Sequence, residues 1–367
     1  MESDVILVIV VATALAFDFT NGFHDTANAV ATSISTRAMP PRVAVGLAAV
    51  LNFVGAFISL EVAATVASGI VEAELVTTTI VFAGLVGAIA WNLATWYFGL
   101  PSSSSHALIG GVVGAAFAAQ GAEAVKGDGL MENVFVPALI APFLAFVVAA
   151  VAIVVSYRIV GRLRPGPVSR GYRLGQVVSA SLFSLSHGTN DAQKTMGIIA
   201  LALVAHGDLS ASNPDPPTWV VVSAATAIAL GTYVGGWRII RTMGTRIIKM
   251  DPAQGFVAQG AGASVILAAS HFGYPLSTTH VASGGVMGAG AGKRLSAVRW
   301  GVAGNIVAAW LLTVPGAAAV GACTYGVTRI FGEGALGPLV VSLSLLALLS
   351  AAFGRRLAQG RTLTAEA

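Results

Sequence analysis

Two rows of hydroxyl side chains lie 174 residues apart, Pro101-Ser102-Ser103-Ser104-Ser105-His106 and Pro275-Leu276-Ser277-Thr278-Thr279-His280. Each follows an apolar run that ends in proline, and each precedes a glycine-rich apolar run. Phe98, Gly99, Pro101, Ser103, His106, Gly110, Gly111, Val112, Gly114 and Ala115 all have an identical residue at that offset. A dehydrated oxyanion needs neutral donors and the positive end of a helix, and a hydroxyl row at a restarting helix offers both. Two such tips facing each other would form an oxyanion cradle. Helix capping accounts for one or two Ser or Thr per tip, whereas here four hydroxyls are echoed by three.

Two further stretches put carboxylates inside apolar sequence, Asn21-Gly22-Phe23-His24-Asp25-Thr26-Ala27-Asn28 and Ser186-His187-Gly188-Thr189-Asn190-Asp191-Ala192-Gln193-Lys194, with Asp25 aligned on Asp191. Carboxylates at membrane depth are costly and face a partner, a cavity or an ion path. Asp25 and Asp191, with carbonyl oxygens from Asn28 and Asn190, suit an oxygen-ligated sodium ion or a proton relay. Asp18, Thr20 and Asn21 precede the first stretch and are expected to line the same cavity. His106 and His280 have three open roles: donor to the anion, carrier of a proton, or hydrogen-bonding group across the repeat. An intramembrane serine hydrolase is the rival of another class, but it needs one nucleophile oriented by a base and a third group. Duplicated hydroxyl rows supply no such distinctive nucleophile.

The elements that position these groups follow from composition. Hydrophobic residues make up 56% of the 367 and charged residues 10%, against about 25% charged in a soluble domain. With a mean hydropathy of +0.81, the chain reads as an all-α polytopic membrane protein and not a nucleic-acid binder, despite its basic pI. The single cysteine, Cys323, excludes a disulfide within the chain. The first apolar run has no basic segment before it and is expected to stay as a helix.

Spans of about 20 residues divide the chain into about ten to twelve transmembrane or half-membrane helices. The run 5–36 is too long for one straight crossing and is expected to be a broken helix. Residues 1–160 form a first repeat containing a re-entrant hairpin at 76–120. A linker follows at 161–173, then a second repeat at 174–330 with its hairpin at 253–292, and an extra helix at 337–354. If each hairpin returns to its own side, three full crossings per half invert the second half relative to the first. With the N-terminus outside and the C-terminus inside, 17 of the 20 Lys and Arg face inward, in accord with the positive-inside rule. Lys126, Lys194 and Arg329 are the exceptions.

Together, the paired Asp-containing stretches and the two Pro-to-His hydroxyl motifs resemble the inorganic phosphate transporter (PiT) family over nearly the whole chain. The resemblance implies phosphate held by Ser102, Ser103, Ser104, Ser105, Ser277, Thr278 and Thr279, and coupling cations held by Asp25, Asn28, Asn190 and Asp191. It implies a plasma-membrane symporter that uses alternating access, with no organic cofactor and with sodium or protons as coupling ion. Coupling is needed because each charge entering against the membrane potential costs about 2.3 kcal/mol per 100 mV. Family members carry phosphate, in some cases as neutral metal-phosphate, and others carry sulfate, so another tetrahedral oxyanion is the alternative cargo. The expected partners are inorganic phosphate and the bilayer, with a homodimer open by analogy. Gln193-Lys194 depart from the family's Ala-Asn. Lys194 lies within ion-pair reach of Asp191 on a helix and could replace a bound cation, which favours protons over sodium. Gln193 and Lys194, like the two histidines, are further candidates for proton or substrate contact.

Overall fold

The computed structural model describes residues 2–332, 334–348 and 350, which are almost entirely helical; among them no β-strand forms. In chain order the helices are α1 (Glu2–Ser35), α2 (Pro41–Gly55), α3 (Glu61–Ser68), α4 (Thr78–Phe98), α5 (Ser104–Gln120), the single turn α6 (Gly127–Leu130) and α7 (Val136–Val160). There follow α8 (Pro165–His206), α9 (Thr218–Val234), α10 (Trp237–Arg241), α11 (Pro252–His271), α12 (Thr278–Lys293) and α13 (Trp300–Arg329). A last helix, α14, covers Leu336–Leu348.

Local chemistry sets the hairpin tips. Helix α4 stops at Gly99 in the left-handed conformation (φ 67°), and Gly273 (φ 76°) follows α11 at the matching place; glycine adopts this conformation at little cost. The chain restarts where Ser103 accepts from the His106 N–H and Ser277 accepts from the His280 N–H, so one serine at each tip is an N-cap. At its foot, α11 opens on a capping box between Asp251 and Gln254.

One expectation about the elements is corrected, and two others gain detail. The run 5–36 is not broken, because α1 is continuous. Thr20 and Thr26 return their hydroxyls to Phe17 O and Gly22 O, and His24, Asp25 and Asn28 find partners beyond α1 in Thr95, Ser104 and Thr279, so the backbone need not unwind. The linker expected at 161–173 is helical from Pro165 onward, because proline suits a first helical turn and α8 runs 42 residues from there. The helix expected at 337–354 begins at Leu336; residue 349 and residues 351–354 lie outside the described residues.

Among the described residues, five helical segments are long and apolar enough to cross a membrane, or six if α9 and the segment Trp237–Arg246, bent by 58°, count as one. Both arms of the first hairpin pass that test. Helices α8 and α11 do not, since their polar residues lower the average.

The two halves pack by exchange. Helix α1 lies on α9 while α8 lies on α2, and α5 lies on α13 while α12 lies on α7. An isolated antiparallel bridge joins the feet of each hairpin, Val71 to Val125 and Ile248 to Val298. The glycine pairs sit at close helix contacts, Gly111 against α4 and Gly284 against α7. A Cβ on Gly111 would fall 2.2 Å from Gly84 O, and one on Gly284 would fall 2.3 Å from Pro142 O. Backbone cannot give way as a flexible side chain can. Gly111→Ala is therefore expected to lower stability by about 1–3 kcal/mol, read as a fall in the thermal unfolding midpoint in detergent.

Candidate functional site

Both hydroxyl rows and both carboxylates meet at one buried point. Ser104 Oγ donates to Asp25 Oδ2 at 2.8 Å, and Thr278 Oγ1 lies 3.3 Å from the same oxygen. Thr278 Oγ1 is also 3.2 Å from Asp191 Oδ2, so this one hydroxyl stands between the two carboxylates. Thr279 Oγ1 is 3.3 Å from Asp25 Oδ1 and accepts from Asn28 Nδ2 at 2.9 Å. All of these residues are buried. Helix α1 presents Asp25 and α8 presents Asp191, while the N-termini of α5 and α12 present the hydroxyls.

Lys194 joins the halves. Its Nζ donates to Asp191 Oδ1 at 2.6 Å, to Ser105 Oγ at 2.5 Å and to Leu276 O at 2.6 Å. One ammonium thus neutralises a carboxylate and ties down both hairpin tips with all three of its protons. A buried charge is tolerated when it is paired and hydrogen-bonded in this way.

The expected site residues divide into groups. Asp25, Asn28, Asp191, Lys194, Ser104, Ser105, Thr278 and Thr279 share the cluster. Ser102 turns aside to donate to Thr95 Oγ1 at 2.8 Å, and the oxygens of Ser103 and Ser277 are taken by their caps. The Asn190 amide donates to Ser270 Oγ at 2.8 Å and to Tyr274 O at 3.1 Å, holding the second tip. Asn28 Oδ1 and Asn190 Oδ1 are buried without a partner, so each asparagine keeps a free carbonyl ligand.

Gln193 is a correction. It lies outside the cluster: its Oε1 accepts from Val62 N and Ala63 N at 2.9 and 3.2 Å and so caps α3. His106 and His280 face each other edge to face with ring centroids 4.7 Å apart, and His280 stacks on Trp310 at 4.0 Å. Their rings pack across the repeat.

Two site histidines were missed. His24 Nδ1 lies 2.6 Å from Asp25 Oδ1, and His187 Nε2 lies 3.1 Å from Asp191 Oδ2. Asn52 and Thr232 orient His187, through 3.2 Å from His187 Nδ1 to Asn52 Oδ1 and 2.8 Å from Asn52 Nδ2 to Thr232 Oγ1. The i, i+4 spacing of His187 and Asp191 was the available signal. Ligand atoms of Asp25, His187 and Asp191 all lie within 4.8 Å of one another, close enough to share a cation.

Comparison with known proteins agrees with this arrangement. The model of the phosphate transporter family matches residues 21–166 and 164–321. A protein of Mycobacterium tuberculosis (strain ATCC 25618 / H37Rv) named "Probable low-affinity inorganic phosphate transporter" is 58% identical over 327 residues, 89% of this chain and 78% of that protein. Proteins of the same name from Rhizobium meliloti (strain 1021) and Bacillus subtilis (strain 168) are 49% and 45% identical, covering 87% and 88% of this chain and 96% of each relative. A solved structure titled "The sodium-dependent phosphate transporter" superposes with a TM-score of 0.80 at 25% identity, over 89% of this chain and 99% of that one. A multi-helix fold, duplicated hydroxyl tips and matches along nearly the whole length lead to one conclusion: this chain belongs to the phosphate transporter family.

Proposed function

We propose that the chain imports inorganic phosphate across the plasma membrane as a cation-coupled symporter, holding the anion between its two hairpin tips. The observation that carries this reading is the meeting of Ser104 and Thr278, one from each tip, on Asp25 Oδ2. Both hydroxyls are donors now spent on carboxylates, and each can rotate its proton to an entering oxyanion. Ser105, Thr279 and the first N–H groups of α5 and α12 add further donors.

A carboxylate acceptor beside the anion favours phosphate over sulfate. Phosphate keeps a proton near neutral pH and can donate it to Asp25 or Asp191, whereas sulfate has none to give. Excess unlabelled phosphate, but not equimolar sulfate, is expected to suppress uptake of labelled phosphate into proteoliposomes; equal suppression by both would overturn the preference.

The exchanged packing of α1 with α9 and α8 with α2 supports an inverted repeat working by alternating access. Asp25 lies ten residues before the end of α1, roughly 15 Å along the helix axis, which suits tips that re-enter to mid-membrane. The outward N-terminus and inward C-terminus rest on the charge distribution.

Two anionic groups flanking an anion repel it, so a cation must accompany entry. Lys194 occupies the position beside Asp191 where a bound cation would otherwise serve, and this favours protons. The second reading, sodium held by Asp25, Asn28, Asn190 and Asp191, is favoured by the two free asparagine carbonyls and by the name of the structural relative. Uptake in sodium-free vesicles driven by a pH gradient is the expected result. Uptake that needs a sodium gradient and ignores pH would decide for the second reading.

A further inference from the structure

Asp18 belongs to none of the contacts described so far. It is the seventeenth residue of the 34 in α1, fully buried, and neither carboxylate oxygen has a hydrogen-bond partner. Thr195 on α8 faces it, and Thr195 Oγ1 is likewise buried without a partner. Asn21, one turn further along α1, is its other polar neighbour. The duplication does not explain this residue, since the position in the second half that aligns with Asp18, counted from the Asp25 and Asp191 match, is Ser184.

Resting on the symport reading above, we propose that Asp18 is a site for the coupling proton, with Thr195 Oγ1 accepting from the protonated carboxyl. A proton fits this place and a metal ion does not. Two carboxylate oxygens and one hydroxyl fall short of the six or more oxygen ligands that hard cations such as calcium and magnesium collect. A fully buried carboxylate whose polar neighbours are only Thr195 and Asn21 carries a large desolvation cost as an anion. A proton removes that cost, and the resulting O–H then has an acceptor in reach. The step is a proton transfer alone: one O–H bond forms on a carboxylate oxygen when the proton arrives and breaks when it leaves.

The groups around it are few. Asp191 and Lys194 act on it from α8, His24 and Asp25 follow on its own helix, and His106 lies on α5. Helices α4 and α9, which also pack on α1, carry no acidic, basic or histidine side chain. Asn21 stands between Asp18 and the anion cluster. Asn21 Oδ1 lies 2.7 Å from Ser104 Oγ, an alternative acceptor to Asp25 Oδ2 at 2.8 Å. Ser104 has one proton to give, so a change at Asp18 that turns Asn21 redirects that proton. Proton loading at Asp18 is thereby linked to the donor that Ser104 offers the anion.

The test uses the purified full chain in proteoliposomes. Asp18→Asn keeps the shape of the neutral acid but cannot release a proton. It is expected to lower the ratio of pH-gradient-driven phosphate accumulation to gradient-free phosphate exchange at least tenfold, with partial recovery in Asp18→Glu. In the infrared spectrum of the wild type, a carboxylic-acid C=O band is expected that is lost in Asp18→Asn and shifted in Thr195→Val as its hydrogen bond disappears. An Asp18→Asn transporter that accumulates phosphate under a pH gradient as the wild type does would overturn the assignment, and so would a band indifferent to both substitutions. If the wild type itself ignores a pH gradient, the proton-coupled reading fails first, and the infrared comparison alone decides whether Asp18 holds a proton.

Discussion

Replacing Lys194 by methionine is expected to abolish phosphate transport and to destabilise the protein by about 3–5 kcal/mol, the usual cost of leaving one partner of a buried ion pair uncompensated. Three acceptors lose the lysine as donor at once, namely Asp191 Oδ1, Ser105 Oγ and Leu276 O, the last keeping only Ser105 Oγ at 3.2 Å. Two of them belong to different hairpins, so the loss loosens the tips from each other as well as exposing a charge. Removing the charge along with its partner, in Lys194→Met/Asp191→Asn, is expected to restore much of the stability but no transport. Thermal unfolding in detergent and uptake in vesicles measure the two effects separately. A Lys194→Met midpoint equal to the wild type would show that the ammonium is not the tie described here.

The second large effect is expected at Asp25. Its Oδ2 faces Ser104 and Thr278, and its Oδ1 faces His24 and Thr279. Asparagine keeps the size but turns one acceptor oxygen into a donor aimed at groups that themselves donate. Losing about 3 kcal/mol from charge-assisted contacts corresponds to roughly a hundredfold fall in rate. Uptake of labelled phosphate by Asp25→Asn is therefore expected to drop about a hundredfold. The unfolding midpoint is expected to change little, because His24 and the hydroxyls keep other partners in Thr95, Asn21 and Asn28. Near-wild-type uptake would contradict a junction role for Asp25.

The hydroxyl tips and the paired aspartates were legible in the sequence because duplication shows them twice, in a background too apolar to hide polar residues. The helical class was legible for the same reason. Boundaries were less so. The polar run in α1 reads as a break, yet its side chains bond to other helices and its backbone stays helical; those partners lie tens to hundreds of residues away. Gln193 looked like part of the site because, with Lys194, it stands where the family has Ala-Asn, but it points to the start of α3, and no local pattern reveals that. His187 was overlooked although its spacing to Asp191 places both on one helix face. Ser103 and Ser277 illustrate a limit of counting hydroxyls, since residues of one type in one row divide between capping the backbone and lining the cluster according to a single turn of the chain.

The central claim is that one anion is shared by both tips, and arsenate, a heavy tetrahedral analogue of phosphate, tests it directly. A crystal structure with arsenate, located by its anomalous scattering, is expected to place the anion within hydrogen-bond distance of both Ser104 Oγ and Thr278 Oγ1. An arsenic peak touching only one hairpin, or lying away from both hydroxyls, would contradict the account.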